Sequence, residues 1–363
     1  MKKRFCFPLL LLFSALLFIF PPICFPVDPN SDSQKYLDYR DEEIKRILLV
    51  GIHASFRENY PQAESSFNVI VQLAPQDPVG YFFKAALYQA QMVDYESDFK
   101  EKEFYENVNL AKKFAQEKIK KDKKDAWVYL VLGNSYGAKG LYDARKGNWW
   151  SGLNNGLTAK SALKEALKHD PELYDAYVGL GSYHYWASVV TKAFWWLPFI
   201  GDHREEGMKE MKLAYEKSIF SSEAAANGLV WMYIQEKKLN LAIDLALKMQ
   251  SKYPEGKSFL WALAQVYYEK QDWNSALLKY QELLEKIESK NSNDFDQSYN
   301  KIECQFYIAN CFFSLGKYKE CANTCQQVLN LPLDEKIKKR QKSKLKGIQK
   351  LLEKSQELSR RKD

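Results

Sequence analysis

Two stretches of the sequence share one spacing of aromatic, leucine and glycine residues. In each, a tyrosine is followed by Leu-Gly after three residues and by a second ring after seven. Residues at these spacings lie on one face of an α-helix. The matching positions are Tyr129, Leu132, Gly133 and Tyr136 in 126–140, and Tyr177, Leu180, Gly181 and His184 in 175–187. A short helix with one apolar face cannot bury that face alone, so the pattern predicts helices that stack on neighbouring copies.

Each such stretch is followed by a second helical pattern that ends near a proline. In 157–171 the small and apolar positions are Ala159, Leu163 and Ala166, and Pro171 follows them. Parts of the same order recur in 60–78, 239–254, 260–284 and 306–332. Proline cannot continue a helix, so each unit is predicted to be a helical hairpin.

This order of residues resembles the tetratricopeptide repeat (TPR) family, whose unit is a hairpin of about 34 residues. The resemblance implies an all-α, right-handed solenoid of about seven hairpins over residues 29–333. A basic capping helix is expected over 334–363, because solenoids end in a cap with a polar outer face. The pattern departs from the family at Lys123, which replaces the proline, and at Gly207 and Ile219 in the fourth unit.

Three middle units are longer than the family's unit. They begin near Pro78, Ala126 and Tyr174, a period of 48 residues. An excess of about 14 residues would lengthen each helix by about two turns. The segments GNWWSGLNNG (147–156) and FWWLPFIGDHREEG (194–207) are then hairpin tips. A phosphate-cradling loop would follow a strand, and no strand is expected here.

The N-terminus has the order of an export signal. Three cations (Lys2, Lys3 and Arg4) precede an apolar run at 5–20. This run is short for a membrane span of about 20 residues. Residues 1–28 are therefore predicted to be a signal peptide or an N-terminal anchor, with a cleaved signal, a retained anchor and a lipid-modified Cys24 as alternatives. The chain is expected to be exported, as in exported bacterial TPR proteins, to a periplasm or outer envelope.

The formal net charge of +7 is confined to the two ends of the chain. Residues 334–363 contain 12 Lys and Arg against 5 Asp and Glu. The body between the ends is slightly acidic, so a nucleic-acid partner is not expected. The terminal lysines fit a capping helix, with contact to anionic lipid or an acidic protein as the alternative.

Four cysteines fall within the last predicted hairpin: Cys304, Cys311, Cys321 and Cys325. Their helical spacing places each pair on one face. Three hypotheses are open: buried small residues, a disulfide between Cys311 and Cys321 in an oxidising compartment, and a zinc site.

No set of residues for catalysis is recognisable. The four histidines (His53, His169, His184 and His203) are scattered, and His184 stands where the repeat has a packed aromatic. The segment GDHREEG (201–207) brings together Asp202, His203, Glu205 and Glu206. Such a cluster could bind a metal, but it is more typical of a charged helix start, which is the interpretation taken here. We therefore expect no enzyme, no cofactor and no metal.

The TPR resemblance implies a binding groove on the concave side, lined by the first helix of each hairpin. The corresponding residues are Phe82, Trp127, Asn134, Ser182, Tyr185, Trp186, Trp231, Trp261, Gln265, Tyr268, Phe306 and Asn310. The lysine and asparagine clamp that some TPR proteins use for a carboxylate is absent. The expected function is a protein-interaction scaffold that binds an apolar or aromatic-bearing segment. The alternative is a carrier of a small molecule or lipid in an aromatic-lined tunnel.

Paired tryptophans occur at both hairpin tips. These are Trp149 and Trp150 in one tip and Trp195 and Trp196 in the next. Large rings usually bury area, so mutual packing of the tips is one hypothesis. The other is an apolar patch that contacts a partner or a membrane.

Overall fold

The computed structural model describes residues 37–193, 201–289 and 296–361, with side chains described to 190 in the first range. The predicted signal or anchor at 1–28 lies outside these ranges, as do Trp195 and Trp196. Across the described helices, none combines the length and apolar composition that a bilayer crossing requires.

Every regular element in the described residues is an α-helix, as the repeat pattern predicts. Apart from 194–203 and 290–297, which are not fully described, consecutive helices are joined by connections of three to six residues. The helices are α1 (Glu42–Phe56), α2 (Tyr60–Leu73), α3 (Pro78–Asp94), α4 (Glu101–Lys121), α5 (Ala126–Arg145), α6 (Trp149–His169), α7 (Ala176–Ala193), α8 (Arg204–Lys217), α9 (Ser222–Gln235), α10 (Leu239–Lys252), α11 (Ser258–Glu269), α12 (Trp273–Ser289), α13 (Ser298–Ser314), α14 (Tyr318–Leu329) and α15 (Glu335–Arg360).

The helices are grouped in two compact units. Unit 1 contains α1 to α8 and most of α9, together with Tyr253–Glu255. Unit 2 contains the end of α9 and α10 to α15, together with Asp94–Ser97.

The segment 147–156 is mostly helix. Gly147 has φ of +88°, a value that favours glycine, and it ends the turn after α5. Asn148 caps α6 by accepting a hydrogen bond from the Ser151 backbone N–H. The connector is therefore very short, and the extra length of this unit lies in α5 and α6, which have 20 and 21 residues.

Glycines in the first helix of a hairpin allow the second helix to approach closely. A methyl group added at Gly51 would lie 2.5 Å from the Phe67 ring, and one at Gly133 would lie 2.7 Å from Leu163 Cγ. At Gly181 the contact is with backbone, because the added methyl would lie 2.7 Å from the Gly207 carbonyl oxygen. The departure of the fourth unit from the repeat pattern thus produces the tightest backbone approach, between α7 and α8.

Buried carboxylates tie the hairpins of unit 1 together. Asp77 accepts hydrogen bonds from the backbone N–H groups of Leu37 and Val79, at 3.1 and 3.0 Å. Lys118 at the end of α4 forms ion pairs with Asp77 and Asp125, at 3.4 and 3.3 Å. Since Asp125 caps the next helix, α5, one cation connects the starts of two successive hairpins.

The last helix packs on the end of unit 2 along an apolar stripe. Ile337, Ile348 and Leu352 of α15 are buried in a cluster with Cys321 and Cys325 of α14. Most of its lysines remain exposed, as expected of a capping helix.

The four cysteines are buried and unbonded. Cys304 and Cys311 lie in the core between α11, α12 and α13. Cys321 lies in the other cluster, where its Sγ accepts a hydrogen bond from Ser355 Oγ at 3.1 Å. The hypothesis of a Cys311–Cys321 disulfide is therefore not met in the structure, since the two residues pack in different clusters.

Replacing Gly207 by alanine is expected to destabilise the protein. The added methyl would lie 2.6 Å from the Gly181 carbonyl oxygen and 2.7 Å from the Tyr185 amide nitrogen, and neither can move without separating α7 from α8. We expect the free energy of unfolding to fall by about 1–3 kcal/mol. Urea denaturation followed by circular dichroism measures this. Gly137→Ala is the control, because its nearest neighbour is the Ala159 methyl at 3.8 Å. If Gly137→Ala lowered the free energy of unfolding as much as Gly207→Ala, the close approach of α7 and α8 would be contradicted.

The four cysteines are expected to resist alkylation in the native protein. Burial raises the pKa of the Cys311 thiol to about 12 and that of Cys304 well above its usual range. A hydrogen bond with Cys325 lowers the pKa of Cys321, so the resistance of Cys321 rests on its complete burial. Native protein treated with iodoacetamide at pH 8 should stay unmodified at all four positions, and protein in urea without a reductant should be alkylated at all four. Peptide mass spectrometry measures both, with a reduced sample as the control. If Cys311 and Cys321 are alkylated in urea only after reduction, they form a disulfide and the unbonded state is wrong.

Candidate functional site

In unit 1 the aromatic residues that were predicted to line the groove are buried. Each has 7% or less of its surface exposed: Phe82, Trp127, Tyr185, Trp186 and Trp231. Asn134 and Ser182 are partly exposed.

Other parts of unit 1 cover these rings. The Trp127 ring stacks on Tyr39 with centroids 4.2 Å apart, and Phe220 approaches it at 5.4 Å. The Tyr185 hydroxyl donates to the Met232 carbonyl oxygen at 3.3 Å. Tyr39 precedes the first predicted hairpin, so helical periodicity gave no signal for this contact.

A small cavity remains where α1, α3, α5 and α7 meet the start of α9. Its volume is about 80 Å³, and its lining includes Phe82, Trp127, Asn134, Val178 and Phe220. Pockets for drug-sized ligands start at about 300 Å³. This cavity is therefore too small for a lipid.

Two of the buried tryptophans have unsatisfied polar atoms. Within the part of the chain that the structure describes, the indole N–H groups of Trp186 and Trp231 have no hydrogen-bond acceptor. A buried donor without an acceptor costs about 1–3 kcal/mol. Both residues belong to the set that the TPR resemblance assigned to the groove.

In unit 2 the corresponding residues are partly exposed: Trp261, Gln265, Tyr268, Phe306 and Asn310. An aromatic row joins their helices, because Tyr268 of α11 and Tyr307 of α13 approach with centroids 4.9 Å apart. Burial raises the pKa of Tyr268 to about 12, so its phenol is neutral at physiological pH.

The amides of this set are partly used within the protein. Gln265 donates to Glu269 Oε1 at 3.2 Å and accepts from the Tyr280 hydroxyl at 3.0 Å. Asn310 donates to the Phe306 carbonyl oxygen at 2.7 Å. In unit 2 the predicted groove residues therefore combine partly exposed rings with amides that hydrogen-bond within the protein.

The two most exposed large apolar side chains of the described residues lie at the start of α6, and two exposed leucines follow them in the same helix. Trp149 and Trp150 are 62% and 78% exposed, and Leu153 and Leu157 are 46% and 48% exposed. Positions 149, 153 and 157 repeat every four residues, so they lie on one face. We call Trp149, Trp150, Leu153 and Leu157 the α6 stripe. The two leucines were missed at the sequence level, although the i, i+4 spacing was present.

This chain is similar to known proteins in structure and not in sequence. No family model matches the sequence, and no curated protein matches it. The chain is similar to the structure of an APC/C hetero-tetramer, Cut9–Hcn1, with a TM-score of 0.53 and 14% identity over 88% of this chain and 54% of that chain. It is also similar to PilW, a type IV pilus biogenesis factor, with a TM-score of 0.46 and 13% identity over 70% of this chain and 97% of that chain.

A third similar structure is TTC0263, a TPR protein of Thermus thermophilus, with a TM-score of 0.40 and 16% identity over 62% of this chain and 99% of that chain. The chain spans about half the length of the Cut9–Hcn1 chain that it matches. Together with the all-helical architecture, the similarity to Cut9–Hcn1 confirms the predicted TPR-type solenoid fold. At such low identity it concerns the fold alone.

The exposure of the α6 stripe can be tested in solution. The double substitution Trp149→Phe and Trp150→Phe should remove much of the tryptophan fluorescence that iodide quenches, because both rings are more than half exposed. Stern–Volmer titration measures this, and Trp127→Phe, which removes a buried ring, is the control. If the double substitution lowers only the fluorescence that iodide does not quench, the stripe is covered in solution.

Proposed function

We propose that this protein is a non-catalytic interaction scaffold that holds an apolar or aromatic-bearing segment of another protein. The observation that carries the proposal is the α6 stripe. Large apolar patches on a protein surface often mark interaction sites. Tryptophan is enriched among the residues that dominate binding energy.

The inward face of unit 2 is a second surface for the same kind of partner. Trp261, Tyr268 and Phe306 offer partly exposed rings, whereas the concave rings of unit 1 are buried. We therefore restrict groove binding to unit 2. An extended or helical segment would place apolar side chains against these rings.

The charge distribution supports a protein partner over nucleic acid. The basic surplus lies at the two ends of the sequence, and the body between them is slightly acidic. Nucleic-acid affinity depends on cations that neutralise phosphates. We further propose that residues 1–28 direct the chain to a periplasm or outer envelope, and that a retained N-terminus would attach it to the membrane.

A carrier of a small molecule is the alternative function. The unsatisfied indole N–H groups of Trp186 and Trp231 favour it, because a bound carbonyl group would accept from them. Neither tryptophan lines the cavity of about 80 Å³, so a ligand that reached these N–H groups would require unit 1 to open.

Site-specific photocrosslinking in the native cell envelope tests these proposals. A photoreactive residue is placed at Trp150 in the α6 stripe or at Trp261 on the inward face of unit 2. Leu278 of α12 is the control position, because it is 61% exposed but lies outside both surfaces. We expect protein adducts at position 150, and adducts at 261 if the groove of unit 2 is also used.

The pattern of adducts decides between the hypotheses. Adducts at 261 alone would move the interface to unit 2, and equal adducts at 278 would show nonspecific contact. If no position gives an adduct, the scaffold hypothesis is wrong. Native mass spectrometry that finds a bound small molecule would then favour the carrier.

A further inference from the structure

Two histidines and two glutamates come together where α7 meets the start of α8. His184 Nδ1 lies 2.7 Å from Glu210 Oε2 and 3.9 Å from Glu206 Oε1. His203 Nδ1 lies 2.8 Å from Glu206 Oε2. A ring nitrogen of His184 and one carboxylate oxygen each from Glu206 and Glu210 lie within 4.8 Å of one another.

The backbone holds these side chains in place. The Gly181–Gly207 crossing brings α7 and α8 together one helical turn from His184 and Glu210. Ser188 Oγ donates to the His184 carbonyl oxygen at 2.7 Å and accepts from the His203 backbone N–H at 2.8 Å. The buried Ser188 thus fixes the backbone of both histidines.

Each glutamate of the cluster is hydrogen-bonded to one histidine, Glu210 to His184 and Glu206 to His203. The second oxygen of Glu206 also lies 3.9 Å from His184 Nδ1, so both carboxylates face the same ring nitrogen. Two carboxylates at this separation repel each other, and the repulsion is larger beside a side chain that is only 6% exposed. His169 on α6 provides a contrast within the described residues, because its ion pair involves only Glu165.

We propose that His184, Glu206 and Glu210 form a binding site for one divalent transition-metal ion of the zinc class. Zinc takes imidazole nitrogen and carboxylate oxygen in tetrahedral sites, whereas calcium and magnesium prefer oxygen ligands alone. Three protein ligands leave one position for water. His203 then orients Glu206 from the outer shell, as hydrogen-bonded partners of metal-binding carboxylates do.

The burial of the ligands suits an ion that enters from solvent. The side chains of His184 and Glu210 are 6% and 15% exposed, whereas that of Glu206 is 53% exposed. The ion would therefore be held from the protein side by two fixed ligands and closed by a third at the surface. A metal site here departs from the sequence-based expectation, in which 201–207 was a charged helix start.

Cobalt binding tests the site, because tetrahedral Co²⁺ has intense visible absorption and substitutes for zinc. Untagged full-length protein is stripped with chelator and titrated with Co²⁺, and equilibrium dialysis gives the stoichiometry. We expect one Co²⁺ per chain, displaced by one equivalent of Zn²⁺. Glu206→Gln should weaken binding at least tenfold without disturbing the fold, since this side chain is half exposed.

Matched variants separate the site from general effects. His184→Gln and Glu210→Gln should abolish the cobalt spectrum, and His169→Gln should leave it unchanged. Circular dichroism checks the fold of each variant. The absence of stoichiometric binding, wild-type affinity in Glu206→Gln, or equal loss in His169→Gln would each overturn the proposal.

Discussion

The close approach of paired helices at a glycine is the contact on which the rest of this structure depends. At Gly51 and Gly133 the partner is a large apolar side chain, and at Gly181 it is the backbone of α8. Protein interiors are close-packed, so a single methyl group at such a point displaces a whole helix. The spacing of these glycines therefore sets the distance between helices. The His184 cluster lies one helical turn from the Gly181–Gly207 approach and takes its position from that distance.

Tight packing also decides which surfaces are available. In unit 1 the aromatic rings expected in a groove are core, and Trp127 packs against Tyr39 and Phe220. In unit 2 the rings at equivalent positions keep partly exposed edges. The long α6 carries an exposed apolar stripe of its own. A scaffold of this kind would contact its partner mainly through residues that packing does not use.

The functional residues were predictable to different degrees. The repeat pattern placed Phe82, Trp127 and Trp231 on inward faces, but it gave no account of what covers them. Their burial depends on contacts such as Tyr39 with Trp127, which join residues far apart in sequence. His184 was recognised only as a departure from an aromatic position. Its glutamate partners are on another helix, and their approach follows from backbone contact between α7 and α8.

The sequence by itself determined the helical hairpins, their order, the long helices α4, α5 and α6, and the basic final helix. The same spacing predicted a long α8, which is wrong, since α8 has only 14 residues. These features follow from local periodicity, from helix breakers and from charge, which are all properties of nearby residues. Only the tertiary structure decided which aromatic rings are core, that Cys311 and Cys321 lie in separate clusters, and that four ionisable side chains converge beside α7. The physical reason is that burial and convergence depend on the rotation and distance between helices, which are set by close-packed contacts between distant residues.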